Sequence, residues 1–225
     1  MDERPIGRGV FLATVAGGLS SLLWGKAAWS YVSNPISRAA QAIAPILPSQ
    51  GWRIYTVGSS MPVFDPVTWR LKIGGLVDNP MELGYLELRA LPQHSQVSVF
   101  HCVTGWTVDG VRWRGVRFKD LLAAAGPRPG AHALEFVSAE YPYVDYLTIE
   151  QAMLHDAMLA WEMDGKPLLQ EHGAPVRVVI PEMYGYKNVK WVAEINLVPK
   201  PGIGYWEAGG YDNDAWVGRS NGYTS

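Results

Sequence analysis

The chain has 225 residues, 48% of them hydrophobic and 18% charged, with a formal net charge of −2. That length can bury a full core in one domain, and the charged fraction sits below the ~25% usual for soluble chains. Near-neutral charge without a Lys/Arg-rich run or an acidic tail excludes the electrostatic footprint of a nucleic-acid-binding protein.

The N-terminus differs in material from the rest. Gly9 to Gly25 runs seventeen residues without a charge, preceded by Arg4 and Arg8 and followed by Lys26. The run is short for a spanning helix, which needs about 20 apolar residues, and it suits the apolar region of an export signal. Arg8-Gly9-Val10-Phe11-Leu12 resembles a twin-arginine signal in which Gly9 stands where the second Arg would be. A removed signal and a retained membrane anchor both remain open. Arg4 and Arg8 on the near side would leave the bulk of the chain outside the cytoplasm, membrane-associated on the periplasmic or outer face. Pro35, Pro45 and Pro48 then punctuate an Ala-rich stretch from Ser37 to Ala44, which reads as a tether. The expected organisation is a signal or anchor plus tether over residues 1–50, and one globular domain over 51–225.

Within that domain, Trp69 to Ile73 alternates apolar and basic residues and predicts a half-buried strand, ended by Gly74-Gly75. Leu83 to Leu91 has short helical spacing closed by Pro92, and Val97 to Cys102 reads as the next strand. Phe118 to Ala125 is the clearest helix, with Gly126 as its stop and Pro127 beyond. Ala133 to Ser138 and Tyr143 to Leu147 read as strands, after which Thr148 caps a short helix containing Glu150, Gln151 and Met153. Met158 to Met163, the Asp164-Gly165 turn and the segment from Lys166 form a hairpin. Pro175 to Ile180 and Val189 to Leu197 are rich in branched residues and predict core strands. Short strands interspersed with small helices make the class α+β, not a doubly wound sheet.

Cys102 is the only cysteine and closes the strand-like run Val97 to His101. It cannot form an intrachain disulfide, so it is packing, a reactive thiol or a metal ligand. The loop that follows, Val103-Thr104-Gly105-Trp106, leads a soft sulfur out of the sheet. Gly202-Ile203-Gly204 lacks the third glycine of a phosphate loop, there is no HExxH pair, and no Cys-x-x-Cys-His attaches a haem. A chain without these parts would borrow its chemistry from another cofactor.

Two segments point to one. His101-Cys102-Val103 is the first; the second is His172-Gly173-Ala174-Pro175-Val176-Arg177-Val178-Val179-Ile180-Pro181, followed by Tyr184-Gly185-Tyr186-Lys187-Asn188-Val189-Lys190-Trp191. Together they resemble the molybdopterin-binding domain of the sulfite oxidase family, including the branch that holds the catalytic subunit of periplasmic methionine-sulfoxide reductase. The resemblance runs from about Trp52 through Val198 and implies the family's fold of mixed β-sheets with short helices. It implies a molybdenum-molybdopterin cofactor in which Cys102 is the sole protein ligand to the metal. Arg177 would clamp the phosphate in fork geometry, with Lys190 adding a point charge. His172 would hydrogen-bond the pterin, and the backbone N–H groups of Asn188, Val189 and Lys190 would cradle the phosphate. Tyr55, Thr56 and Ser138 fall where further cofactor contacts lie. Read as plain residues, Arg177 and Lys190 would form a solvated strand edge, Tyr55 would be an ordinary strand aromatic, and Ser138 would bond its own backbone.

The family transfers an oxygen atom to or from a small-molecule substrate. Sulfite oxidases proper place an arginine soon after the cysteine and surround the metal with others. Here Gly105 and Trp106 occupy that region, and the next arginines are Arg112 and Arg114. With ten Trp and eleven Tyr in the chain, the pocket reads as aromatic more than cationic, which favours reduction of a sulfoxide or similar oxo-substrate. The alternatives are a sulfite or other oxyanion dehydrogenase, and a metal-free membrane-tethered interaction domain. The resemblance also implies a separate electron-transfer partner of membrane cytochrome b type.

Overall fold

The computed structural model of the chain describes residues 51–219; the expected signal or anchor segment and tether lie outside them. Two five-stranded sheets form the frame. The first contains β1 (Arg70–Gly75), β2 (Met81–Gly84), β5 (Ala133–Ser138), β6 (Val144–Thr148) and β10 (Val192–Val198), in the order β2-β1-β10-β5-β6. The pair β1 and β10 is parallel and the other pairs are antiparallel, so the sheet is mixed. The second sheet joins β3 (His94–Cys102), β4 (Trp106–Arg117), β7 (Met158–Met163) and β8 (Lys166–Pro167), with β9 (Arg177–Val179) also pairing with β7. Three short helices complete the α+β class: α1 (Tyr85–Arg89), α2 (Phe118–Ala125) and α3 (Ile149–Ala152).

The helices end where local chemistry stops them. The α2 helix turns Phe118, Leu121, Leu122 and Ala125 into the core. Gly126 closes it at φ 67°, a left-handed conformation that glycine adopts without a Cβ penalty, and donates its N–H to Leu122 O. The Thr148 hydroxyl accepts from Gln151 N while the Gln151 side chain accepts from Thr148 N, a reciprocal cap that starts α3. Met153 is the residue that ends this helix.

A strand absent from the sequence expectation is the longest among the described residues. β4 runs twelve residues through Asp109-Gly110, a pair that reads as a turn. The structure absorbs them in an irregularity opposite Ser98–Phe100, with Gly110 at φ 66°, and pairing resumes on both sides. Further along the same strand, Gly115 lies so close to β7 that a Cβ would run into the Leu159 carbonyl. Glycine there lets the two strands keep their ladder through a second register shift.

Phe118, Phe136, Leu134, Leu159, Trp161 and Ile180 are fully buried in the main core. Phe118 and Phe136 meet with ring centroids 5.2 Å apart. Burying each such side chain stabilises the fold by about 2–3 kcal/mol. This core fixes the ends of β3, β5 and β9, the three places from which the candidate site is built.

Candidate functional site

Cys102 is the last residue of β3 and pairs with Trp106 at the start of β4. The intervening turn is closed by Gly105 N–H donating to Cys102 O at 3.0 Å. The residue is partly exposed, and its Sγ lies 3.1 Å from Thr104 Oγ1. Burial pushes the thiol up from its ordinary value, against weaker opposing effects of Thr104, the Arg53 charge and the Trp106 indole. A metal ion bound here would displace the proton that burial retains. The Trp106 Nε1–H is buried, and its approach to the sulfur falls short of full hydrogen-bond geometry.

An aromatic wall stands beside the sulfur. Trp52 packs on Phe100, Trp106 and Trp113 at centroid distances of 4.9, 6.3 and 6.2 Å, and edge-on to His172 at 4.8 Å. Tyr55 stacks on Trp106. Arg112 is turned to Asp164 and Arg114 to Glu162. Arg53 is the arginine whose charge bears on Cys102.

The second half of the site comes from the turn before β9 and the loop after it. His172 ends a 3-10 turn, and Gly173 at φ 102° reverses the chain. A Cβ at Gly173 would sit 2.9 Å from Lys190 Cβ, so the glycine lets this turn press against the Lys190 loop. Arg177 is 3% exposed, which overturns the solvated-edge expectation: β9 is buried along its whole length, so alternation did not put this side chain in water. Its guanidinium donates to His172 O at 3.2 Å and Asn188 O at 3.4 Å, between the rings of Phe100 and Trp113. Burial lowers its pKa to about 10.

Lys190 donates from Nζ to Tyr55 O at 2.7 Å and Glu171 O at 3.2 Å, and lies 4.0 Å from the Trp191 ring centroid. Burial first, and the Arg177 charge second, push its pKa down to about 7. His172 is likewise lowered by burial and by Arg177. Among the described residues, neither Arg177 nor Lys190 has a carboxylate at ion-pair distance.

The expected backbone cradle needs one correction. Asn188 N–H already donates to Gly185 O at 3.1 Å, because the loop enters through a 3-10 turn. The Asn188 side chain is also committed, accepting from Ile180 N and donating to Tyr184 O. The N–H groups of Val189 and Lys190 donate to no protein acceptor among the described residues.

Ser138 Oγ donates to Lys190 O at 2.8 Å and accepts from Glu140 N at 3.0 Å, so its single proton is spent on holding the loop. Tyr55 is 44% exposed in an irregular segment, not in a strand, and contributes its carbonyl to Lys190. Thr56 is exposed and makes no link to the others. The structure thus joins Tyr55, Ser138 and Lys190 by one set of hydrogen bonds and His172, Arg177 and Asn188 by another, with Val189 between Asn188 and Lys190 along the chain. Cys102 meets this group through Trp106 and Tyr55.

Glu140 escaped the sequence reading. It is 4% exposed and accepts Val57 N–H and Gly58 N–H on one oxygen. The one signal for it was a charged residue in the short link between two strands, ahead of Tyr141-Pro142.

Chemically, the site offers one sulfur donor, a buried and a half-buried cation short of anions, and two unused N–H donors. That set fits a ligand with a soft metal at one end and a phosphate at the other. No group of three or more His, Cys, Asp or Glu side chains among the described residues could hold a metal ion.

Comparison with known proteins gives the same reading. The family model for the oxidoreductase molybdopterin binding domain matches residues 58–206. The uncharacterized oxidoreductase YuiH of Bacillus subtilis is 35% identical over 160 residues, covering 69% of this chain and 80% of that protein. The protein-methionine-sulfoxide reductase catalytic subunit MsrP of Xanthomonas axonopodis is 32% identical over 147 residues, covering 59% of this chain and 45% of MsrP. The crystal structure of the sulfane dehydrogenase SoxCD from Paracoccus pantotrophus superposes with a TM-score of 0.58 at 27% identity, covering 64% of this chain and 41% of that one. The matched region therefore spans less than half of both the reductase and the solved dehydrogenase chain.

Proposed function

The chain belongs to the family of oxidoreductase molybdopterin binding domains, and on that premise we propose that it reduces a small sulfoxide or similar oxo-substrate by oxygen-atom transfer. The fold is of the sulfite-oxidase type, and the cofactor that goes with the family is molybdenum-molybdopterin. When bound, that group supplies a two-electron centre at which an oxygen atom can be exchanged.

The protein's own residues have separable tasks. Cys102 Sγ would give up its proton and ligate the metal. Arg177 and Lys190 would hold the phosphate with paired and single positive charge, and the Val189 and Lys190 N–H groups would donate to it. His172, already kept neutral by burial and by Arg177, donates or accepts one hydrogen bond on the pterin. Ser138 and Tyr55 hold Lys190 in place from its carbonyl and its ammonium. Thr56, exposed next to Tyr55, is the weakest of these assignments, since no protein contact orients it.

The observation that carries the substrate class is the aromatic wall of Trp52, Tyr55, Phe100 and Trp106 beside Cys102. Such a wall suits the apolar body of an uncharged organic sulfoxide, and the thioether sulfur of the product packs against aromatic rings. The reductase relative supports the same class. Two electrons and two protons convert a sulfoxide into a sulfide and water, and by analogy with the reductase branch a separate membrane redox partner of cytochrome b type supplies the electrons. A membrane-associated, extracytoplasmic location agrees with the apolar N-terminal run; among the described residues no helix is long and apolar enough to cross a membrane. Arg53 favours a second reading, oxidation of sulfite or another oxyanion, because its charge lies near the sulfur.

A substrate panel separates the two. Purified cofactor-loaded protein is expected to oxidise a reduced viologen dye in the presence of methionine sulfoxide or an aryl methyl sulfoxide. Sulfite-dependent reduction of ferricyanide, with no turnover of any sulfoxide, would replace the first reading with the second.

A further inference from the structure

Glu140 carries an inference of its own. Its carboxylate is buried yet pairs with no cation; its hydrogen bonds go to backbone N–H groups of a segment more than eighty residues away, Val57 at 2.8 Å and Gly58 at 3.1 Å. Carboxylates rarely stay this buried without a partner, and two charge-assisted bonds to one oxygen meet that requirement. The approach is close: a Cβ on Gly58 would lie 3.3 Å from Glu140 Cγ, so a larger residue there would press on the contact.

The turn that bears Glu140 is itself held on two sides. Tyr143 N–H donates to Glu140 O and Ser138 N–H to Tyr143 O, which closes the turn on β5 and β6. Ala139 N–H donates to Trp191 O, which ties it to the loop carrying Lys190. Followed round, the bonds make a ring. Glu140 holds the N–H groups of 57 and 58; Lys190 Nζ holds the carbonyl of Tyr55; Lys190 O accepts from Ser138 Oγ; and Ser138 Oγ accepts from Glu140 N. Lys190 grips the segment by a carbonyl and Glu140 by amides, at neighbouring residues of an otherwise irregular stretch.

We propose that Glu140 is a positioning residue that pins residues 55–58 against the cofactor site and thereby governs how fast the cofactor leaves. The assignment rests on the reading that this site binds molybdopterin. Glu140 acts as a hydrogen-bond acceptor here. No cation lies within ion-pair distance, and its charge acts on Lys190 only from farther off.

The test compares Glu140→Ala and Glu140→Gln with the wild type, each loaded with molybdopterin in cells that make the cofactor. Two quantities are read: amide hydrogen exchange in the peptide spanning residues 53–60, and the rate of pterin release on dilution. Glu140→Ala is expected to exchange at least tenfold faster in that peptide and to release pterin at least fivefold faster. Glu140→Gln, which keeps an acceptor oxygen, should stay within about twofold of wild type on both. Wild-type release from Glu140→Ala, or a Glu140→Gln variant as impaired as the alanine, would overturn the assignment. A wild-type protein that holds no pterin would overturn the reading of the site, and this role with it. The exchange contrast at 53–60, measurable without cofactor, tells that failure from a failure of the hydrogen bonds themselves.

Discussion

Lys187 and Lys190 stand three residues apart in one loop and are treated in opposite ways. Lys187 is 4% exposed and donates to carboxylates from two distant parts of the chain, Asp145 on β6 and Glu207 near the C-terminus. Burial alone would lower its pKa, but the two carboxylates offset that and hold it above the ordinary lysine value. Lys190, with Arg177 behind it, has only neutral carbonyls as acceptors. One region has more negative charge than its cation requires, and the other has too little. Of these neighbouring cations, Lys187 is neutralised within the chain, whereas Lys190 and Arg177 meet only carbonyl oxygens.

Breaking each side of this contrast should give different results. Lys187→Met leaves two carboxylates buried without a cation, and loss of one partner of a buried pair costs about 3–5 kcal/mol. Urea unfolding should show that loss with or without cofactor. If the midpoint barely moves, the triad is not closed as described. Arg177→Met removes a cation that lacks an anion but also the donors to the buried carbonyls of His172 and Asn188, so the melting temperature of the cofactor-free protein should fall by less than that of Lys187→Met. Its cofactor occupancy should fall at least tenfold, about 1.4 kcal/mol or more of charge-assisted binding. Equal occupancy in mutant and wild type would remove the phosphate clamp.

Smaller, but diagnostic in sign, is the pH dependence of the cofactor-free protein. Lys190 titrates near 7 when folded and near 10.5 when unfolded. Between those values the unfolded chain binds more protons, so stability rises with pH there and is lost as pH falls towards 7. Lys190→Met should flatten that slope. Asp145 is raised to about 7, by burial first and with Lys187 opposing. Its folded form binds more protons between about 4 and 7, so stability from this group falls as pH rises through that window. Asp145→Asn should remove that fall. Slopes of the same sign at both sites would undo the comparison.

Most of the scaffold could be read from the chain because it rests on local signals. Gly126 stops α2 and Thr148 with Gln151 starts α3, each within one turn of the residue that signals it. β4 was hidden because Asp109-Gly110 has the composition of a turn, and only pairing with β3 shows that it is taken up as an irregularity. The HGAPVR run and Cys102 were visible as motifs, and the fold does carry them to neighbouring places. What the sequence could not show was charge balance. Lys187 finds partners 42 and 20 residues away, and Glu140 reaches back 83 residues to Val57. Arg177 was ambiguous for a related reason: alternation predicts two faces, and β9 has no solvent on either.

The central claim is that Cys102 and the anion-short pocket together hold molybdenum-molybdopterin. Elemental analysis of protein purified from a cofactor-producing host, with Cys102→Ala prepared in parallel, tests it most directly. The account predicts about one molybdenum per chain in the wild type, a loss of most of the metal in Cys102→Ala, and pterin still detectable in that variant. Wild-type protein without molybdenum would contradict it and leave the metal-free interaction domain as the better description; equal molybdenum in both proteins would contradict the role of Cys102.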